Sequence, residues 1–175
     1  SLQAEERHRA ALHTEVEATR QHLDGLEDIV VNCILGASLD DIARFGLSRT
    51  QRTLGVEHGA LRILGGAAPA FSGNGLSEAQ ATQLFDQCLA AVQAAEIPEG
   101  DLKARPHEVR IVDMSDYAQA HCCSLHKTVI VATFTAPLGL QVCCALADRR
   151  KALPVERRWF RSLLNHVAMT ATNRV

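Results

Sequence analysis

The spacing of apolar residues changes character three times along this chain. From Leu12 to Cys33 apolar positions recur alternately four and three residues apart, at Leu12, Val16, Leu23, Leu26, Val30 and Cys33, with Thr19 as the polar member of the series. Glu15, Glu17, Arg20 and Asp24 surround that seam. This is the a/d pattern of a coiled coil, which predicts dimerisation through Leu12, Val16, Leu23, Leu26 and Val30. An amphipathic helix packed on its own domain has the same spacing, so both readings stand. Residues 1–34 therefore form an N-terminal helix, and residues 35–175 a separate folded unit.

In that unit the spacing first remains helical. Ser38 is an N-cap, with Asp41 at the capping-box position, for a helix marked by Leu39, Ile42, Ala43, Leu47 and Leu54 that ends near Gly55. His58 to Leu64 then has strand length, with Leu61 and Ile63 on one face and Arg62 and Leu64 on the other. Residues 65–77 read as a Gly/Ala/Ser/Asn loop containing a short strand at residues 69–71. Ser77 and Gln80 repeat the capping box before a helix striped by Leu84, Phe85, Cys88, Leu89 and Val92, which Pro98 and Gly100 end. A strand follows over residues 108–114, with Val109 and Ile111 on one face, and then a short helix over residues 115–125.

The third regime is continuous. Thr128–Thr135 and Leu140–Ala147 are apolar at almost every position and are separated by a turn containing Pro137 and Gly139. Two such runs make a β-hairpin covered on both faces, hence central in a sheet. Beyond a basic turn, Pro154 opens a closing helix in which Phe160, Leu163, Leu164, Val167, Ala168, Ala171 and Val175 form one stripe. Without regular βαβ alternation, the fold class is α+β with a central antiparallel sheet flanked by helices.

The bulk numbers narrow the partners. The chain has 175 residues, 22% of them charged, and a formal net charge of −2. Near-neutrality gives no electrostatic case for nucleic acid or an anionic membrane. No apolar run reaches the roughly 18–20 residues of a membrane span. Six cysteines, including the adjacent pairs Cys122-Cys123 and Cys143-Cys144, do not resemble a secreted disulfide framework, which predicts a reducing, cytoplasmic compartment. The chain does not begin with Met and is expected to be a segment of a longer protein.

The organisation resembles a GAF domain, a small-molecule-sensing relative of the PAS fold. Three stretches carry the resemblance: SLDDIARFGLSRTQRTLGVEHGALRIL, the hairpin VIVATFTAPLGLQVCCALADRR and the closing PVERRWFRSLLNHVAMTATNRV. The turn at Ala136–Gly139 is shorter than is usual in that family. The resemblance implies a bacterial sensory module, dimeric through its terminal helices and covalently linked to an output domain. It also implies a small-molecule pocket between one sheet face and residues 65–77 and 113–126, for which the candidates are Arg62, Phe71, Asp113, Tyr117, His121, Thr133 and Cys144. The cofactor, if there is one, is unknown. Bilin-bearing relatives carry Cys-His in a matching helix, whereas this chain has His121-Cys122, which argues against that ligand.

One cluster stands outside the resemblance. His121, Cys122, Cys123 and His126 are metal-ligating or thiol-redox residue types within six positions. Adjacent side chains converge poorly on one ion, and free cysteine is also an ordinary small core residue, so packing is the competing explanation. Cys143 and Cys144 on a strand point to opposite faces, and at most one of them can face a pocket. Arg62, Arg105 and Arg110 are candidates for contact with an anionic ligand. No phosphate loop, nucleophile elbow or HExxH motif appears, so the chain is expected not to be an enzyme.

Overall fold

A computed structural model of the chain describes residues 3–13, 15–17, 38–95, 109–136, 139–151 and 156–174. Residues 3–13 and 15–17 are helical, and Leu12 and Val16 lie exposed on that helix (47% and 62%). Leu23, Leu26 and Val30, the rest of the expected dimer seam, lie outside the described residues, as do Arg105, Pro137, Pro154 and Val175.

The folded unit runs α1 (Leu39–Leu54), β1 (His58–Leu64), β2 (Ala70–Asn74), α2 (Glu78–Ala95), β3 (Arg110–Asp113), α3 (Ser115–His121), β4 (Thr128–Thr135), β5 (Gln141–Asp148) and α4 (Arg157–Thr172). The strands form one sheet of order β2-β1-β5-β4-β3 with every neighbouring pair antiparallel. The β4–β5 hairpin thus lies at the centre, and its burial on both faces accounts for its unbroken apolar sequence. Several boundaries differ from those the sequence predicts, among them the start of α4, which begins at Arg157 after an extended Glu156. The short strand expected at residues 69–71 extends to Asn74, because β2 gains its order from pairing with β1 rather than from its own Gly/Ser/Asn-rich composition. The short helix stops at His121, four residues early.

Helix starts follow the local chemistry. Ser38 Oγ accepts from Asp41 N while Asp41 Oδ2 accepts from Ser38 N, closing the capping box of α1. Gly55, at φ 66°, ends that helix in the left-handed region. Ser77 and Gln80 make the same reciprocal pair before α2.

Strand alternation then divides the core in two. On one face Leu61, Ile63, Ile130, Ala132, Val142, Cys144 and Leu146 pack against α1 and α4, including the expected stripe Phe160, Leu163, Leu164, Val167, Ala168 and Ala171. Burying one such leucine or phenylalanine contributes roughly 1.5–3 kcal/mol. On the other face Ala60, Val129, Val131, Cys143, Ala145 and Ala147 meet Leu84, Phe85 and Cys88 of α2 and Ala118 of α3. That second face positions the candidate site.

Candidate functional site

Cross-strand register lines up one row of side chains on the face covered by α2 and α3. Phe71 pairs with Arg62, Arg62 with Cys143, Cys143 with Thr133, and Thr133 with Arg110. Directly opposed residues share a sheet face, so five strands each contribute one member. Phe71 is half-buried against the α2 cluster, and Cys143 and Thr133 are buried.

Arg62 is the charged centre of the row. Its side chain is only 12% exposed, and its guanidinium lies 5.1 Å over the Phe85 ring. Nη2 donates to Gln141 Oε1 at 3.0 Å and reaches within 4.0 Å of Cys143 Sγ. Nη1 lies 3.7 Å from Asp86 Oδ1, a carboxylate that is itself 66% exposed. The Nε of Arg62 is buried and has no hydrogen-bond partner. Burial pushes the Cys143 thiol up to about 12, against the opposing influence of Arg62, so this sulfur stays protonated near neutrality.

Of the residues expected to line a pocket, the structure gathers Arg62, Phe71 and Thr133 in this row and sets Tyr117 in the same apolar cluster. Tyr117 receives a hydrogen bond from Gln83 Nε2 at 3.3 Å. Three others do not join them. Cys144 is fully buried on the opposite face with Leu61 and Leu146, because one step along a strand reverses the side chain; Cys143 takes the place expected for it. Asp113 Oδ1 accepts from Ser115 N at 2.9 Å and from Ser115 Oγ, so this carboxylate anchors the start of α3. His121 is exposed and packs on the outer side of Tyr117, with ring centroids 4.6 Å apart.

The His/Cys cluster also separates. Cys122 Sγ and Cys123 Sγ lie 3.4 Å apart, but His126 turns away so that its Nε2 is 2.8 Å from Nδ1 of His58. Among the described residues no group of three or more His, Cys, Asp or Glu side chains is arranged to hold a metal. Burial pushes the Cys123 thiol up to about 12, with a further rise from Cys122 beside it. Sequence alone does not single out His58, Gln141 or Asp86, and it groups His126 with the cysteines rather than with His58. Gln141 carried the one available signal, as the polar opening residue of an otherwise apolar run.

Two open clefts lie away from this face. One of about 390 Å³ lies between α1 and the β2 edge and includes Arg44, Gln51, Glu57 and Asn74. The other, of about 460 Å³, joins the start of α1 to Gly65–Ala68 and Arg174. Among the described residues no helix is long and apolar enough to cross a membrane.

Solved structures share this architecture. The chain is similar to the GAF domain of a Pseudomonas syringae pv. tomato protein described as a sensor histidine kinase, at 12% identity and TM-score 0.56, covering 95% of this chain and 92% of that one. It is similar to the phycoerythrobilin-bound GAF domain of a cyanobacterial phytochrome, at 13% identity and TM-score 0.52, over 86% and 94% of the two chains. The LBD domain of VqsR from Pseudomonas aeruginosa gives 12% identity and TM-score 0.51 over 86% and 95%. No family model and no curated protein sequence matches the chain. At these identities the likeness is one of fold, and the fold is GAF-like.

Proposed function

Starting from that GAF-like fold, we propose that this chain is a non-catalytic sensory domain of a larger cytoplasmic signalling protein. It binds a small molecule on the sheet face beneath α2 and α3, and it dimerises through its terminal helices to act on a covalently linked output domain. The observation that carries this reading is the half-polar row Phe71–Arg62–Cys143–Thr133–Arg110, which sets a largely buried, incompletely partnered guanidinium among apolar walls. Ligand sites have that make-up, with apolar surface for affinity and a few placed polar groups for orientation. The exposure of Leu12 and Val16 on the N-terminal helix supports the dimer. Native mass spectrometry of freshly purified protein, with thermal shifts across a metabolite panel, tests the reading. A bound mass or a saturable shift is the expected result. Neither, with a dimer still present, would make the chain a ligand-free dimerisation module.

The contact between the Cys122 and Cys123 sulfurs favours a second reading, a thiol-based sensor without metal. Oxidised glutathione would accept the two electrons, releasing two glutathione thiols as the vicinal disulfide forms. Peptide mass mapping after such exposure would show a loss of two hydrogens at this dipeptide. Unchanged thiols would remove this reading.

A further inference from the structure

Arg62 also bears on the kind of molecule that the proposed site takes. A guanidinium removed from water is costly unless an anion and hydrogen-bond acceptors replace its hydration. Here the replacement is incomplete. Gln141 supplies one neutral acceptor, Phe85 supplies a ring face, and Nε is left buried without a partner. The carboxylate of Asp86 is 3.7 Å from Nη1, beyond hydrogen-bond reach, and faces mostly solvent. It balances the charge without filling the fork. On the same sheet face, three strands along the row from Arg62, beyond Cys143 and Thr133, Arg110 adds a second, more distant positive charge. No acidic residue occupies the row itself.

We infer that the ligand of this face is a carboxylate-bearing small molecule whose carboxylate pairs with Arg62 in place of Asp86. Its apolar body lies against Phe71, the half-buried ring beside Arg62 on the neighbouring strand. This assignment rests on the sensory reading above. A carboxylate matches the planar guanidinium with two parallel hydrogen bonds, which a neutral head group does not. Asp86 is then an internal competitor, an anion already tethered near the fork that the ligand displaces.

The test is a calorimetric and thermal-shift panel of monocarboxylates (acetate, hexanoate, decanoate, benzoate and phenylacetate), each beside its primary amide, on the full chain. The expected result is binding by at least one carboxylate with an amide counterpart at least about tenfold weaker, the range for a lost charge-assisted hydrogen bond. Arg62→Gln should weaken the carboxylate by a similar factor. Since Arg62 is largely buried, Asp86→Asn on the exposed side of α2 provides a variant that does not challenge folding. It should tighten the carboxylate several-fold and leave the amide unchanged. Amides binding as well as acids, or Asp86→Asn failing to tighten binding, would overturn the carboxylate assignment while leaving a ligand site on this face. No binding by any compound, together with no bound mass in the purified protein, would overturn the assignment and the sensory reading together.

Discussion

His58 Nδ1 and His126 Nε2 meet at 2.8 Å although 68 residues separate them in sequence. The contact ties the first residue of β1 to the segment that enters β4. One of the two facing nitrogens must carry the proton and the other accept it, so the pair has no place for a proton on both. His126 is buried, and its other nitrogen, Nδ1, has no partner. Burial lowers its pKa from the ordinary 6.5, the positive charge that His58 can acquire lowers it further, and Arg149 acts in the same direction. Glu57 and Asp148 oppose this.

The sign of the pH effect follows. A histidine whose pKa is lower folded than unfolded contributes stability above its unfolded value, and that stability is lost as pH falls through the folded value. Urea midpoints should therefore be level from pH 8 to about 7 and fall progressively below 6.5, the ordinary histidine value. His126→Gln should flatten that decline. An equal slope in the variant would show that the pair does not cause it.

Asp148 governs a second, more acidic window. It is 2% exposed and accepts from Glu57 N, Arg150 N, Arg150 Nε and Arg150 Nη2 at 2.9–3.1 Å. Arg150 beside it holds the carboxyl well below the usual range, so its stabilising contribution is present above pH 3.8 and is lost as pH falls below that value. Arg150 is itself 58% exposed, which limits the electrostatic part. Asp148→Ala should still cost about 2 kcal/mol at neutral pH, chiefly for backbone N–H groups left without an acceptor. Denaturant titration at pH 7 measures this.

Gly75 bears on the same histidine. Its φ is +77°, and a Cβ built there would overlap the His58 ring. Gly75→Ala combines left-handed strain with that clash and should destabilise by about 1–3 kcal/mol. It should also displace His58, which imidazole resonances in NMR spectra would report.

The cysteines are graded by burial. Cys88, Cys123 and Cys143 are pushed up to about 11, 12 and 12 by desolvation, and Cys144 is raised as well. Cys122 alone among the described cysteines is only half-buried. Brief alkylation of the native protein at pH 7.5, mapped by peptide mass, should label Cys122 and spare those four. Rapid labelling of Cys143 would show that the α2 face is open in solution.

Dimerisation through the N-terminal helix makes its own prediction. Leu12→Glu with Val16→Glu should shift the protein from dimer to monomer in sedimentation, since both side chains are exposed in the single chain. The melting temperature of the sheet domain should change little.

Much of the architecture was visible in the sequence because its strongest local signals agree with its tertiary setting. The unbroken apolar runs around Pro137 are the two central strands, and both serine capping boxes start helices where they stand. Long-range pairings were less legible. Cys143 and Cys144 are chemically identical neighbours, and only the register against Arg62 decides which one faces α2. Asp113, expected in the pocket, anchors a short helix, and Asp148, a buried hydrogen-bond hub, carries no local sign of that role. The His58–His126 contact left no trace in spacing, since no periodicity connects β1 to the segment before β4.

A ligand of the Arg62 row must touch the sheet face covered by α2. Methyl-resolved NMR during titration with the carboxylate giving the largest thermal shift tests that directly. Changes concentrated at Val129, Val131, Ala145 and Leu84, on the face covered by α2, are the predicted result. Changes concentrated instead at Leu39 and Ala68, or at Leu47 and Val56, would place the ligand in one of the open clefts and contradict it.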